Sequence, residues 1–440
     1  MSVREGNLEA PMRHPLNWQH PDFYDEEKLL EEEARVFDVC HGCRRCFNLC
    51  NAFPTLFDLI DNTKDGELAE VDRKAYSKVV DQCYLCDICF MTKCPYVPPH
   101  PLNIDFPHLM LRAKAVQFKK GQSKFRDKLL TSTDLMGKLM AIPVVAETVN
   151  TLNRNQMARK ALEKILGIAA ERKLPPYTAH PFRKSARADT TFPVKDGSKT
   201  PGKVAIFSTC YINYNDPDIG DDLLKILVHN EIPVAFAEKE RCCGMPKLEL
   251  GDLDTVQKLK EQNIPQLLPL AKEGYAILAP VPSCSLMFKS ELPLLFPDDE
   301  DVKTVANAFF DPFEYFYGRY QDGFLKTDFQ KGLGKITYHI PCHLRVQNLG
   351  QKTKDILALI PDTEIIVVER CSGHDGTWGV KKEFFETSMK IGKPVFQKMK
   401  DGQCMSSDCP IAIRQIDQGT EGAAPSHHPL TLLRMAYGLQ

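Results

Sequence analysis

Up to residue 170 the apolar positions fall three and four residues apart, the spacing of one helix face, whereas beyond residue 203 they gather in the short runs that strands use. Residues 1–30 come before either pattern and read as an irregular lead-in, polar and broken by Pro11, Pro15 and Pro21. Residues 24–38 predict a helix with Leu29, Leu30 and Val36 as packing positions. Residues 52–80 predict two more, the first on Phe53, Leu56, Leu59 and Ile60 and the second on Val71, Tyr76, Val79 and Val80, with a polar turn at 61–66 between them. Pro95, Pro98, Pro99 and Pro101 then keep the chain out of helix. Residues 108–121 resume it, and residues 125–170 form a long helical tract with a basic cluster over 154–164. This tract is expected to pack as a helical bundle against the preceding domain, with an interfacial helix lying on a membrane as the other reading. Residues 171–203 have little periodicity and read as a linker.

From Val204 the texture alternates between strand and helix. Strands are expected at 204–207, 234–237 and 276–280, with helices at 221–228 and 255–272 between them. The pattern restarts with strands at 335–338 and 364–368 and helices at 353–359 and 382–398. That is a doubly wound α/β reading, made twice. In each copy a first strand ends in Cys (Cys210; Cys342) and a second leads into a Cys-rich loop (Arg241-Cys242-Cys243-Gly244; Arg370-Cys371-Ser372-Gly373). A third leads into another Cys (Ser283-Cys284; Ser407-Asp408-Cys409). Carboxyl ends of parallel strands share one sheet edge, so the cysteines of each copy should converge.

The fold class is therefore α+β and multidomain. Residues 1–125 are read as a helical cysteine-loop domain, 126–202 as helical tract and linker, and 203–326 and 327–440 as the two α/β modules. A formal net charge of -2 gives no bulk electrostatic case for nucleic acid or an anionic membrane. The first residues contain no apolar leader and no run approaches the length of a membrane span, so a cytoplasmic, reducing setting is expected. No G-x-G-x-x-G motif follows an early strand, so no nucleotide or flavin site is expected.

The 16 cysteines change this picture most. Cys40, Cys43, Cys46 and Cys50 form one C-x2-C-x2-C run with a fourth Cys behind it, and Cys83, Cys86, Cys89 and Cys94-Pro95 form another. That is the ligand spacing of a bacterial-type ferredoxin with two [4Fe–4S] clusters, in which the fourth Cys serves the neighbouring cluster. Cys40, Cys43, Cys46 and Cys94 are thus assigned to one cluster, and Cys83, Cys86, Cys89 and Cys50 to the other. Zinc knuckles use pairs of thiols and leave the third Cys of each run unexplained. The helical insert between the runs argues for the helical variety of ferredoxin domain.

In the first module Cys210, Cys242, Cys243 and Cys284 suffice for a further iron–sulfur cluster or for zinc. The second offers Cys342, Cys371 and Cys409, with Ser372 where a second adjacent Cys would stand. Cys404 is its spare thiol, and His343 and His374 are candidate nitrogen ligands. The glycines of Gly373-His374-Asp375-Gly376-Thr377-Trp378-Gly379 would permit close backbone approach to a bound group.

A double ferredoxin run followed by two Cys-Cys-Gly (CCG) modules resembles the iron–sulfur subunits of the heterodisulfide reductase superfamily, and within it the C-subunit type of the anaerobic glycerol-3-phosphate dehydrogenases. The residues that carry this are Cys242 to Pro246, Pro282-Ser283-Cys284 with Lys289, Tyr338-His339-Ile340-Pro341-Cys342-His343, Gly376 to Gly379 and Leu174 to Pro176. The chain departs from the reductase pattern at Met287 and Ala412, where C-x2-C modules end in Cys, and at Ser372. The resemblance implies an electron-transfer subunit. It would carry electrons from a partner flavoprotein dehydrogenase to quinone or a soluble acceptor, with no substrate chemistry alone. It also implies a place in the cytoplasm or on the inner face of the cell membrane. The other readings are a catalytic heterodisulfide, thiol or quinone reductase subunit working at the first-module cysteines, and a zinc scaffold.

Overall fold

The computed structural model describes residues 11–92, 94–189 and 191–440. Residues 1–10 of the expected lead-in, where a leader was sought, lie outside the described residues. After a turn at Pro21–Tyr24, helix α1 runs over Glu26–Cys43. Asp25 caps it by accepting the Lys28 N–H at 3.1 Å, and Arg44 ends it in the left-handed region at φ 53. Helices α2 (Ala52–Asp61), α3 (Tyr76–Gln82), α4 (Ile88–Thr92) and α5 (Phe106–Lys119) complete the first region. Its core is aromatic: the Phe53 and Phe106 rings lie 4.7 Å apart, and Phe37 and Phe57 are buried beside them. Among the described residues no strand precedes Val204, in keeping with a helical cysteine-loop region.

The tract at 125–170 folds as α6 (Phe125–Leu130), α7 (Thr133–Met140), α8 (Pro143–Arg154) and α9 (Gln156–Leu166). It was expected against the first domain; it lies instead across the two α/β modules. Gly137 of α7 lets the Tyr214 ring of the first module approach so closely that a Cβ there would lie 2.2 Å from it. Arg126 reaches Glu383 of the second module at 2.7 and 2.8 Å. The linker is equally tied down. Its short helix α10 (Phe182–Ser185) buries Phe182 completely, and Arg172 donates to the Gly379 carbonyl and the Ser388 hydroxyl at 2.9 and 2.8 Å. Low apolar periodicity marked this stretch as loose because its anchors are arginines.

In the first module, strands β1 (Val204–Ile206), β2 (Val234–Phe236), β3 (Ala276–Leu278) and β4 (Phe309–Phe310) form a parallel sheet in the order β2-β1-β3-β4. Helices α11 (Cys210–Tyr214), α12 (Pro217–His229), α13 (Met245–Leu250) and α14 (Leu253–Lys272) pack around it. The second module repeats the plan with β5 (Gly334–His339), β6 (Thr363–Val368), β7 (Cys404–Ser407) and β8 (Ser426–His427) in the order β6-β5-β7-β8, again parallel. The fourth strand of each sheet is two residues long, too short to show a periodicity. One buried apolar cluster runs unbroken from Trp18 through Phe57 and Leu278 to Tyr437, and a smaller one around Val395 and Met399 sits in the second module.

Candidate metal centres

The first two centres are built from turns. Cys40 and Cys43 close α1, and Cys46 follows in the loop opened by left-handed Arg44. Burial raises the Cys40 thiol well above its usual range, and Cys94, Cys46 and Cys43 raise it further, so the structure gathers these four. Between Cys83 and Cys89 the chain reverses twice, through positive φ at Leu85 (55°) and Asp87 (61°). Burial also raises Cys89, together with the charges of Cys46, Cys83 and Cys50, and Cys86 senses both Cys50 and Cys89. Cys50 thus stands with the second run and Cys94 with the first. Cys50 opens α2, where the Ala52 and Phe53 N–H groups face its sulfur; burial still pushes it up to about 12.

Asp87, between two of these cysteines, is fixed by Arg13, whose guanidinium donates to it at 2.8 and 2.9 Å and to Asp105 at 2.8 and 3.1 Å. Lys114 holds the Cys83 carbonyl. The second run is therefore braced at two points by charge-assisted bonds from outside the motif.

In the first module Cys210 opens α11, Cys242 and Cys243 precede α13, and Cys284 lies in the helix Pro282–Leu286. The Cys210 and Cys242 sulfurs are 4.0 Å apart. Hydrogen bonds from Cys210 and Cys243 pull Cys242 well down, while the same bonds raise its two partners. Asn263 pins the loop, accepting from the Arg241 N–H at 2.8 Å and donating to the Cys242 carbonyl at 3.0 Å. From α7 the Asp134 carboxylate accepts the Cys242 N–H at 2.7 Å; burial and Cys242 raise that acid to about 6. Sequence spacing gave no hint that the helical tract would cap this site.

In the second module Cys342, Cys371 and Cys409 converge on a residue the sequence reading passed over as a ligand, Asp375. Its carboxylate lies 3.3 Å from the Cys371 sulfur and 3.9 Å from that of Cys342. Burial lifts its pKa to about 7. A left-handed Gly373 turns the loop back, and a Cβ there would lie 2.2 Å from the Ser388 carbonyl. Trp378 anchors the loop's far end on Phe384 at 5.0 Å and on the Asp81 carbonyl at 3.1 Å. The glycines of this loop serve close packing and the return of Asp375. Tyr338 on β5 and Thr353 in the helix Lys352–Leu357 hold Asp408, the neighbour of Cys409, and His339 bridges Ser407 and the Arg370 carbonyl at 3.0 and 2.8 Å.

Three candidate ligands fall differently. Cys404 begins β7, roughly 10 Å of strand from its carboxyl end, and its thiol faces the Met405 carbonyl at 3.6 Å. His343 is engaged by Ser283 at 2.8 Å and the Leu85 carbonyl at 3.4 Å, a contact between modules. His374 is buried beside the cysteines, and its Nδ1 has no hydrogen-bond partner among the described residues.

The second ferredoxin-type group and the second-module group share one cavity of about 710 Å³, lined by Cys50, Cys83, Cys86, Cys89, Cys342, Cys371, Cys409 and Asp375. The Tyr84 hydroxyl stands 3.5 Å from the Cys371 sulfur across it. Among the described residues no three or more His, Cys, Asp or Glu side chains are drawn in as around one metal ion. Thiolates on the corners of a multi-iron cluster stand further apart than the ligands of a single ion. Soft thiolate sets of this kind suit iron–sulfur clusters.

The family described as a cysteine-rich domain, CCG, matches residues 204–289 and 336–415. The chain is 29% identical over 341 residues to the C-subunit of the anaerobic glycerol-3-phosphate dehydrogenase of Escherichia coli K12, covering 76% of this chain and 83% of that one. It is 28% identical over 297 residues to the B-subunit of the fumarate reductase (CoM/CoB) of Methanothermobacter marburgensis, covering 63% and 57%. It is also 28% identical over 193 residues to an uncharacterized iron–sulfur protein of Methanocaldococcus jannaschii, covering 43% and 36%.

Proposed function

We propose that this chain, whose residues 204–289 and 336–415 match the CCG cysteine-rich domain, is an iron–sulfur electron-transfer subunit of an oxidoreductase complex. The observation that carries this reading is the placement of Cys94 beside Cys40 and of Cys50 beside Cys83 and Cys89, the neighbours that an exchange of fourth ligands would need. Clusters bound there would supply one-electron oxidation and reduction. The chain's own residues bury the thiols, brace the turns through Arg13 and Lys114, and hold the sets side by side.

The donor is proposed to be a flavoprotein dehydrogenase of the glycerol-3-phosphate type, a reading supported by the likeness to one component of such an enzyme. The acceptor is quinone or a soluble carrier, met at the first module. Among the described residues no single helix is long and apolar enough to cross a membrane; α7 and α8 reach that length and composition only jointly, across a bend of 104°. Helices α6–α9 nevertheless expose Phe125, Leu135, Val144, Met157 and Ile165 beside a basic cluster, which supports peripheral docking on an anionic surface. The second reading, a thiol or quinone reductase working at the first-module cysteines, is favoured by the 4.0 Å approach of Cys210 to Cys242.

Iron, acid-labile sulfide and zinc measured on anaerobically purified protein, with low-temperature spin resonance after dithionite, test the main reading. Iron with sulfide and reducible cluster signals is expected. Zinc without iron would overturn it.

A further inference from the structure

We propose that the second α/β module holds an iron–sulfur centre of its own, liganded by Cys342, Cys371, Cys409 and the carboxylate of Asp375, beside the second run of ferredoxin-type cysteines. The inference rests on the reading of the chain as an iron–sulfur protein and deepens it.

Ser372 made this module look like a lapsed site. A neutral hydroxyl does not replace a thiolate, but a carboxylate carries the same single negative charge. Asp375 is the carboxylate that meets two of the three thiols, at 3.3 and 3.9 Å. Metal binding requires thiols to give up their protons, and here the Cys371 and Cys342 sulfurs both face a carboxylate that would serve as the fourth ligand.

Position supports the assignment. The cavity at Asp375 is also lined by Cys50 and Cys86, and the Tyr84 hydroxyl stands 3.5 Å from the Cys371 sulfur within it. Toward the first module, His343, next to Cys342, meets Ser283, next to Cys284, at 2.8 Å. The second-module cysteines thus adjoin both the ferredoxin-type cysteines and the first module.

The full-length chain, purified without oxygen, tests this by iron and sulfide content and by low-temperature spin resonance. Asp375→Ala and Cys409→Ser should each lose the same increment of iron and the same spectral component, while Asp375→Cys keeps the iron and shifts that component. Cys86→Ser should lose a different component. If Asp375→Ala and Cys409→Ser, both folded by circular dichroism, keep all their iron and an unchanged spectrum, the proposal fails. It fails as well if zinc fills the increment, or if His374→Ala takes the iron and Asp375→Ala does not. Iron lost from Cys86→Ser but from neither second-module variant sinks this inference alone; a wild-type chain without iron sinks the parent reading too.

Discussion

The Nε2 of His108 lies 3.2 Å from a carboxylate oxygen of Glu291, joining α5 of the cysteine-loop region to the first module in a fully buried contact. Arg13 extends the network, 3.4 Å from the other Glu291 oxygen while it also holds Asp87 and Asp105. Burial alone would lower the His108 pKa, but Asp105 and Glu291 outweigh it and raise the group above 6.5. Burial alone would raise Glu291, but His108 and Arg13 hold it below 4.5.

A pH window follows from those directions. The raised histidine contributes stability in full below 6.5, and the contribution fades as pH climbs through its folded value. The lowered glutamate contributes above 4.5 and fades as pH falls through its depressed value. Glu291→Gln should therefore cost most between pH 4.5 and 6.5, roughly 3 kcal/mol for breaking a buried pair. Urea midpoints of the two proteins across the pH range check this; a constant difference would contradict it.

The exchange of fourth cysteines predicts which variants resemble each other. Cys94→Ser should lose the same spin-resonance component as Cys43→Ser, and Cys50→Ser the same one as Cys86→Ser. Ligation within each run would pair Cys94 with Cys86 instead.

Gly373→Ala should destabilise the Asp375 loop by more than about 1 kcal/mol, because strained backbone and a blocked Cβ position act together. Gly274, also at positive φ but with nothing within 4 Å of its would-be Cβ, isolates the backbone share. Melting temperatures of the two variants should differ, with Gly373→Ala the lower.

Replacing Val144 and Ile165 by Asp should abolish flotation with anionic lipid vesicles while leaving iron content unchanged. Both side chains are more than 70% exposed, at 74% and 78%, so the change disturbs no core. Flotation unaffected by the double change would remove the membrane reading.

The two sheets were legible because Cys-Gly loops recur after apolar runs, and a repeat of that kind forces matching topology. The last strands, Phe309–Phe310 and Ser426–His427, were not, since two residues carry no period. Asp375 was missed for a different reason. It lies four residues beyond Cys371 and 33 beyond Cys342, and only the Gly373 turn makes it their neighbour. The capping of Cys242 by Asp134 spans 108 residues and leaves no local trace. His343 read as a ligand because it follows Cys342, whereas its ring is spent on Ser283.

The buried apolar cluster that passes without a break from Trp18 to Tyr437 has a mechanical consequence. Many redox assemblies let a hinged carrier domain swing between donor and acceptor. Here the cysteine groups are cast in a single solid, so the gaps an electron crosses are set when the chain folds, and turnover should be insensitive to solvent viscosity once the outer partners have docked.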